Sequence, residues 1–240
     1  MPARNTQIKV IALISFFLTL ISYTASAQSF EKGMKAAKKG DWATAFENWR
    51  PAAEMGDEQA QWAFGKMYDY GNYVSLDDKE AAKWYLKSAE QGYSKAQNDI
   101  ASMYVLGEGV RKSTRKALKW YMKSAEQGYA IAQHNLAIML KDGKDTKRDC
   151  KNALNWFLSA ARQDYAPSMF DVGVLHDNGQ CVDKDDVLAF MWYKIAEAEG
   201  HTKAAEYKEK LALRLTNAEM KHAGRLAKKC TRSKYTECGL

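Results

Sequence analysis

The stretch Trp84-Tyr-Leu-Lys-Ser-Ala-Glu-Gln-Gly-Tyr-Ser-Lys-Ala-Gln97 recurs almost letter for letter at Trp120-Tyr-Met-Lys-Ser-Ala-Glu-Gln-Gly-Tyr-Ala-Ile-Ala-Gln133, 36 residues later. The same spacing leads on to Trp156 and Trp192. A fixed period of this length is typical of repeat proteins, in which each unit buries its apolar face against its neighbours. The sequence therefore predicts an all-α chain of stacked helix pairs.

The repeat phase divides the chain into four full units, at 60–95, 96–131, 132–167 and 168–203. The first helix of each unit ends at a glycine, which tolerates the left-handed conformation that ends helices. These glycines are Gly71, Gly107, Gly143 and Gly179. The second helix follows a residue that can accept a hydrogen bond from a free backbone amide. These predicted N-caps are Asp41, Asp77, Ser113, Asp149 and Asp185.

The two ends of the chain depart from the repeat. Residues 1–27 combine a basic start, an apolar run over 10–23 and the small residues Ala25-Ser-Ala27, which is the form of a signal peptide. The apolar run is shorter than the roughly 20 residues of a membrane-spanning helix, so an uncleaved anchor is the weaker alternative. We expect export to the periplasm, with secretion as the alternative. Residues 28–59 form an N-terminal cap and partial repeat, 60–203 the four repeats, and 204–240 basic capping helices and a tail.

The net charge of +7 is unevenly distributed. Arg4 and Lys9 lie in the predicted signal peptide, and the remaining excess falls in 206–240, where nine basic residues face four acidic ones. A nucleic-acid binder spreads positive charge along a groove, interleaved with aromatic residues, so no nucleic-acid partner is expected. We interpret the basic tail as a solvated end cap, with peripheral contact to anionic envelope components as a secondary interpretation.

The repeat motif carries a family resemblance. Ala96-Gln97, Ile100-Ala101, Met103-Tyr104 and the Trp-Tyr-x-Lys-Ser-Ala-Glu-Gln-Gly stretch resemble the Sel1-like repeat (SLR) family, which is related to tetratricopeptide repeats. The resemblance covers about 40–203, with departures at Leu140, His176 and Asp164. It implies a right-handed superhelical solenoid of antiparallel helix pairs with a concave inner face.

The resemblance also implies a function. Exported bacterial members typically act as adaptors that hold other proteins, so we expect a scaffold that binds a protein or peptide partner through its concave face. Some cysteine-rich members have been linked to penicillin binding, which makes a penicillin-binding or β-lactamase-like protein one alternative. An envelope glycan-binding structural protein is the other.

Variation between the units indicates where a partner would bind. On a 3.6-residue wheel, three columns of the first helices lie opposite the repeated packing positions and differ from unit to unit. Several residues in these columns are apolar where exposure is expected, and exposed apolar patches usually mark partner sites. The alternative is burial against the next helix. The predicted partner-binding residues are Trp62, Lys66, Tyr70, Asn98, Ser102, His134, Ile138, Phe170 and Val174. The tryptophans in phase with Trp84 are predicted to be core, since every unit repeats them.

The four cysteines follow the repeat phase. Cys150 and Cys181 both fall in turns between paired helices, and stacked units place equivalent turns side by side. We therefore predict a Cys150–Cys181 disulfide, with Cys230–Cys238 as the second pair, in keeping with an exported chain. Free buried thiols are the alternative.

The sequence offers little material for catalysis. No His-x-x-x-His metal pattern is present. Ser29 and Ser113 each begin a Ser-x-x-Lys match, but the companion Ser-Asp-Asn and Lys-Thr-Gly motifs of penicillin-reactive enzymes are missing. We expect no enzymatic activity, no cofactor and no metal.

Overall fold

The computed structural model describes residues 27–143 and 147–238. The predicted signal peptide, residues 1–27, lies outside this part of the chain except for its last residue. Within the described residues all regular structure is helical. None of the described helices combines the length and apolarity that crossing a bilayer requires.

Twelve helices make up the described part of the chain. The first, α1, covers residues 27–37. The others are α2 (Trp42–Glu54), α3 (Glu58–Tyr70), α4 (Asp78–Glu90), α5 (Ser94–Leu106), α6 (Thr114–Glu126), α7 (Ala130–Asp142), α8 (Cys150–Ala161), α9 (Ala166–Asn178), α10 (Asp186–Ala198), α11 (Ala204–Ala212) and α12 (Asn217–Arg232).

The helices form two compact units that divide after Lys112. In the first unit α3 packs against α2 and α4, and α4 packs against α5. In the second, each helix from α6 to α9 packs against the next, and α10 contacts α9, α11 and α12. The prediction of an all-α chain built from consecutive packed helices is confirmed.

The predicted helix caps are confirmed in every unit. Asp41, Asp77, Ser113, Asp149 and Asp185 each accept a hydrogen bond from a backbone N–H in the first turn of the helix that follows. Gly71, Gly107, Gly143 and Gly179 are all left-handed and end the first helices. The first helices begin two residues earlier than predicted, because their opening turn precedes the packing motif that the phase detects.

The repeated tryptophans are less uniformly buried than predicted. Trp84 and Trp192 are buried, but Trp120 and Trp156 are only half-buried. The neighbouring aromatic ring is buried in all four units, as Tyr85, Tyr121, Phe157 and Tyr193. In two units the Lys of the Trp-Tyr-x-Lys motif lies over the tryptophan, with Nζ 3.9 Å and 4.5 Å from the ring centroid. The tryptophans therefore lie at the edge of the core, and the next residue fills it.

The cysteines lie in the two pairs that the repeat phase predicts. Cys150, the first residue of α8, is bonded to Cys181, which follows α9, with the Cα atoms 4.8 Å apart. Cys230 near the end of α12 is bonded to Cys238, with Cα atoms 4.6 Å apart. The first bond joins adjacent repeats, and the second ties the tail to the last helix.

We expect the Cys150–Cys181 bond to persist in the isolated protein and to stabilise it. In the chain-entropy account, a bond that closes a loop of this length contributes about 3–4 kcal/mol to the free energy of unfolding. Cys150→Ser with Cys181→Ser should lower it by that amount in urea titration. Non-reducing peptide mapping should recover the two cysteines linked, and recovering both as alkylated thiols would contradict the pairing.

Two glycines allow close helix contact. A Cβ on Gly65 would lie 2.8 Å from the ring of Tyr85, and one on Gly173 would lie 2.7 Å from the ring of Tyr193. Tyr85 is buried, and its hydroxyl donates to Asp69 Oδ2 at 2.8 Å, so the ring is held in place.

Gly65→Ala is therefore expected to lower the free energy of unfolding by about 1–3 kcal/mol, because the core cannot accept the added methyl group. Gly224→Ala is the matched control. Gly224 lies inside α12 with no atom within 4 Å of an added Cβ. There we expect a gain of about 0.5–1 kcal/mol from helix propensity. Equal effects of the two substitutions in urea titration would show that the contact with Tyr85 is unimportant.

Candidate functional site

Three of the predicted partner-binding residues line one cavity in the first unit. Trp62, Lys66 and Tyr70 lie on one face of α3, four residues apart. The cavity has a volume of about 190 Å³. Its remaining lining residues come from α1, α2, α3 and the loop after α3: Met34, Ala37, Trp42, Trp49, Ala63, Met67 and Asn72.

The walls of this aromatic cavity are held by hydrogen bonds that point away from it. Trp49 is buried, and its Nε1 donates to the carbonyl of Phe30 at 3.2 Å. Trp62 is half-buried, and its Nε1 donates to Asp99 Oδ2 at 2.8 Å. The polar edges of both indoles are therefore satisfied, and Lys66 and Lys95 lie over the Trp62 ring with Nζ 5.8 and 5.2 Å from its centroid.

Among the described residues that line the cavity, Lys66 alone has a charged side chain. Its Nζ lies 3.9 Å from Asp99 Oδ2 and donates to the Tyr70 hydroxyl at 3.0 Å. It also lies 4.4 Å from the centroid of the Tyr70 ring. Because Asp99 compensates this charge, the cavity is suited to an apolar group rather than to an anion.

Exposed apolar side chains lie at the end of α3, in the loop that follows it and at the end of α5. Tyr70 is 60% exposed, and Tyr73 and Leu76 in the following loop are 59% and 64% exposed. Leu106, one period after Tyr70, is 62% exposed. Sequence reasoning missed Tyr73 and Leu76, because they lie in a loop where helical periodicity gives no signal. It also missed Trp42 and Trp49, which were assigned to the incomplete first repeat and not to the partner-binding residues.

The other predicted partner-binding residues are not among those that line this cavity. Asn98 was predicted to be exposed but is buried, with its amide donating to Asp99 Oδ1 at 2.9 Å, so this prediction is wrong. Ser102 is half-buried and donates to the carbonyl of Asn98. A wheel drawn for one helix cannot show coverage by neighbouring elements, and this is the physical reason for the error.

In the second unit, His134, Ile138, Phe170 and Val174 are half-buried rather than exposed. The last three pack against the hydrophobic core of that unit. The ring of Phe170 stacks on His201 with centroids 4.3 Å apart and meets the edge of Tyr207 at 4.9 Å. Residues that follow α10 thus cover Phe170, as the alternative interpretation, burial against the next helix, expects.

His134 lies in a polar cluster beside this core. Its Nδ1 is 3.0 Å from Ser168 Oγ, and its Nε2 is 3.8 Å from Asp171 Oδ2. The pKa of His134 is lowered to about 4, chiefly by burial and in smaller part by the charges of nearby His201 and Lys141. Burial raises the pKa of Asp171 to about 6. At neutral pH His134 is therefore neutral, and its contact with Asp171 is not an ion pair despite the short distance.

Ser113, which begins one of the Ser-x-x-Lys matches, has a structural role. Ser113 Oγ accepts from the backbone N–H of Lys116 at 3.3 Å, so this hydroxyl serves as a helix cap. Among residues 27–143 and 147–238, no three or more His, Cys, Asp or Glu side chains group as metal ligands would.

Comparison with known proteins gives a consistent family match. The Sel1 repeat profile matches four consecutive segments, residues 58–93, 94–129, 130–165 and 166–201. A Sel1 repeat protein from Oxalobacter formigenes is 31% identical, with a TM-score of 0.66 over 73% of this chain and 72% of its own. No curated protein matches the chain.

Two further solved structures are similar. A protective antigen present in uropathogenic Escherichia coli strains, which displays an SLR fold, is 28% identical, with a TM-score of 0.72 over 87% of this chain. This chain spans 45% of that antigen's length. A putative Sel1 repeat protein from Klebsiella pneumoniae is 16% identical, with a TM-score of 0.55 over 80% of this chain and 95% of its own, and it supports the fold alone.

The raised pKa of Asp171 makes a testable contribution to stability. A carboxyl group whose pKa rises on folding contributes fully below its unfolded-state pKa, near 3.8, and that contribution is lost as the pH rises through about 6. Asp171→Asn should therefore raise the free energy of unfolding by about 1–2 kcal/mol at pH 7.5 and leave it unchanged at pH 3.5. The measurement is urea titration at both pH values.

Asp142→Asn is the control for this prediction. The Asp142 side chain is 49% exposed and pairs with Lys141 at 3.0 Å, so its removal should change stability by less than about 0.5 kcal/mol. A gain from Asp171→Asn that is equal at the two pH values would show that ionisation of this carboxyl group is not its cause.

Proposed function

This chain belongs to the Sel1 repeat family, and on that premise we propose that it is an exported adaptor that binds a protein or peptide partner through the aromatic cavity of its first unit. The role in protein interaction rests on the family, whose repeats generally serve as scaffolds for protein interaction. The choice of the binding site rests on the cavity.

The cavity is the observation that carries the proposal. Trp42, Trp62 and Tyr70 line it, and the loop that follows Tyr70 carries the exposed Tyr73 and Leu76. Tryptophan and tyrosine in such positions are the residues that contribute most to protein interfaces. Contiguous exposed apolar surface on a soluble domain usually marks an interaction site. A partner would insert an apolar side chain into the cavity and cover the exposed side chains of Tyr70, Tyr73 and Leu76.

Three observations support a place outside the cytoplasm. All four cysteines are paired, and disulfides persist mainly in oxidising compartments. Residues 1–27 have the composition of a signal peptide. The similar protein from uropathogenic Escherichia coli is a protective antigen, which favours the same location for this chain. We therefore propose that the chain acts at the cell envelope and that its partner is found there.

The partner can be captured by a photocrosslinking amino acid at position 70, in the native compartment. Tyr70 is exposed, so the replacement should not disturb folding. We then expect Tyr70→Ala to weaken binding of the identified partner, measured by calorimetry, by about tenfold or more, which is the loss that an interface anchor produces.

Leu213→Ala is the matched control, because Leu213 is 89% exposed and lies far from α3 in the sequence, on the second unit. It should leave the affinity unchanged. Partner binding that is insensitive to both Tyr70→Ala and Trp62→Ala would rule out the aromatic cavity as the binding site.

A further inference from the structure

The last helix carries a cationic face that packing does not use. Its residues Ala223, Ala227 and Cys230 are buried in the core of the second unit. Four exposed basic residues lie within two turns at positions i, i+3, i+4 and i+7, a spacing that groups them on one side of the helix. They are Arg225, Lys228, Lys229 and Arg232.

These four residues line an open cleft of about 450 Å³. Its other lining residues are Ser233 and Glu237 in the tail. The Cys230–Cys238 disulfide brings the tail back to the helix, and Ser233 Oγ accepts from the backbone N–H of Glu237 at 3.0 Å. Because the bond and the turn fix the tail, the cleft is a built feature of the fold rather than a row of surface lysines.

The cleft carries a net positive charge. Its one carboxylate, Glu237, pairs with Lys229 at 3.0 Å. Within residues 27–143 and 147–238, no carboxylate lies at ion-pair distance from Arg225, Lys228 or Arg232. Arg225 has its Nη2 3.3 Å from His222 Nδ1, which is not an anionic group at neutral pH.

Helix electrostatics explains only part of this cluster. Cations in the last turn stabilise a helix because they face the negative end of its dipole, and Lys229 and Arg232 fit that role. The effect falls off within one turn, and Arg225 lies seven residues before the end of α12. Stabilisation of the helix end therefore does not account for Arg225, which lines the cleft together with Lys228.

We propose that this cleft binds a phosphate-bearing polyanion about the size of a lipid headgroup, independently of the aromatic cavity. Guanidinium groups bind phosphate oxygens through paired, charge-assisted hydrogen bonds, and a lysine adds a mobile charge. The volume is within the range of small-molecule sites. The described residues of the lining include no aromatic ring on which a nucleobase could stack, which argues against nucleic acid.

The test uses the chain from residue 28 onward and two phosphate probes. Inorganic tripolyphosphate, titrated by calorimetry, represents a soluble ligand. Phosphatidylglycerol in phosphatidylcholine vesicles, followed by cosedimentation against pure phosphatidylcholine, represents a headgroup on a membrane. We expect Arg225→Gln with Lys228→Gln and Arg232→Gln to weaken binding by about tenfold or more, and added salt to weaken the binding of the unmodified chain.

The matched control removes the same number of charges elsewhere. Lys35, Lys38 and Lys39 are exposed in and just after α1, and their replacement by Gln should leave binding unchanged. Equal melting midpoints of the two triple variants would show that both are folded, since all six residues are exposed.

Each result decides the proposal. Binding of tripolyphosphate alone assigns a soluble phosphate ligand, and binding of the vesicles, with or without tripolyphosphate, assigns a headgroup, provided that only the α12 variant loses it. Binding of neither probe, equal loss in both variants, or tighter binding of a single-stranded oligonucleotide than of either probe would overturn it.

Discussion

A buried glutamine amide fixes the register of successive repeats. Gln61, Gln97 and Gln133 each donate from Nε2 to a carbonyl in the last turn of the preceding helix, at 3.2, 3.1 and 3.1 Å. Each of these carbonyls also accepts the backbone N–H of the glycine three residues further on, so the contact chiefly supplies a partner for the buried amide, which is costly to leave unpaired. The bond therefore restricts how the first helix of a unit can rotate or slide against the helix before it.

The sequence was sufficient for the features that depend on local chemistry. Aspartate at an N-cap and glycine in a left-handed C-cap satisfy their own helix, so Asp77 and Gly107 could be assigned without knowledge of the neighbours. Burial depends on what lies across the helix, and a wheel for one helix cannot supply it. Asn98 is buried where exposure was predicted, and Phe170 is half-covered by residues after α10. The candidate site was therefore predicted in part, through the residues of α3 alone.

The aromatic cavity arises where the repeat pattern is incomplete. Trp42 has no aromatic counterpart in later units, where the same phase holds Asp78, Thr114, Cys150 and Asp186. At the phase of Trp62 the next two units hold Asn98 and His134, and an aromatic residue returns only at Phe170 in the last unit. A complete unit must present the same packing surface on both sides. A terminal unit packs on one side only, so its aromatic residues can line a cavity instead of filling a core.

The C-terminal end of the chain also departs from the repeat pattern, and the residues that it exposes on α12 are basic rather than aromatic. The tail is anchored through Tyr235, whose ring stacks on Trp192 with centroids 6.2 Å apart and whose hydroxyl donates to Asp164 Oδ1 at 3.1 Å. Asp164 has a φ of 58°, in the left-handed conformation that glycine adopts at Gly92 and Gly128. A glycine there would relieve the backbone but would leave Tyr235 without its acceptor. The departure from the repeat pattern at Asp164 thus helps to hold the terminal cap in place. The basic residues of α12 lie on the exposed outer face of this cap.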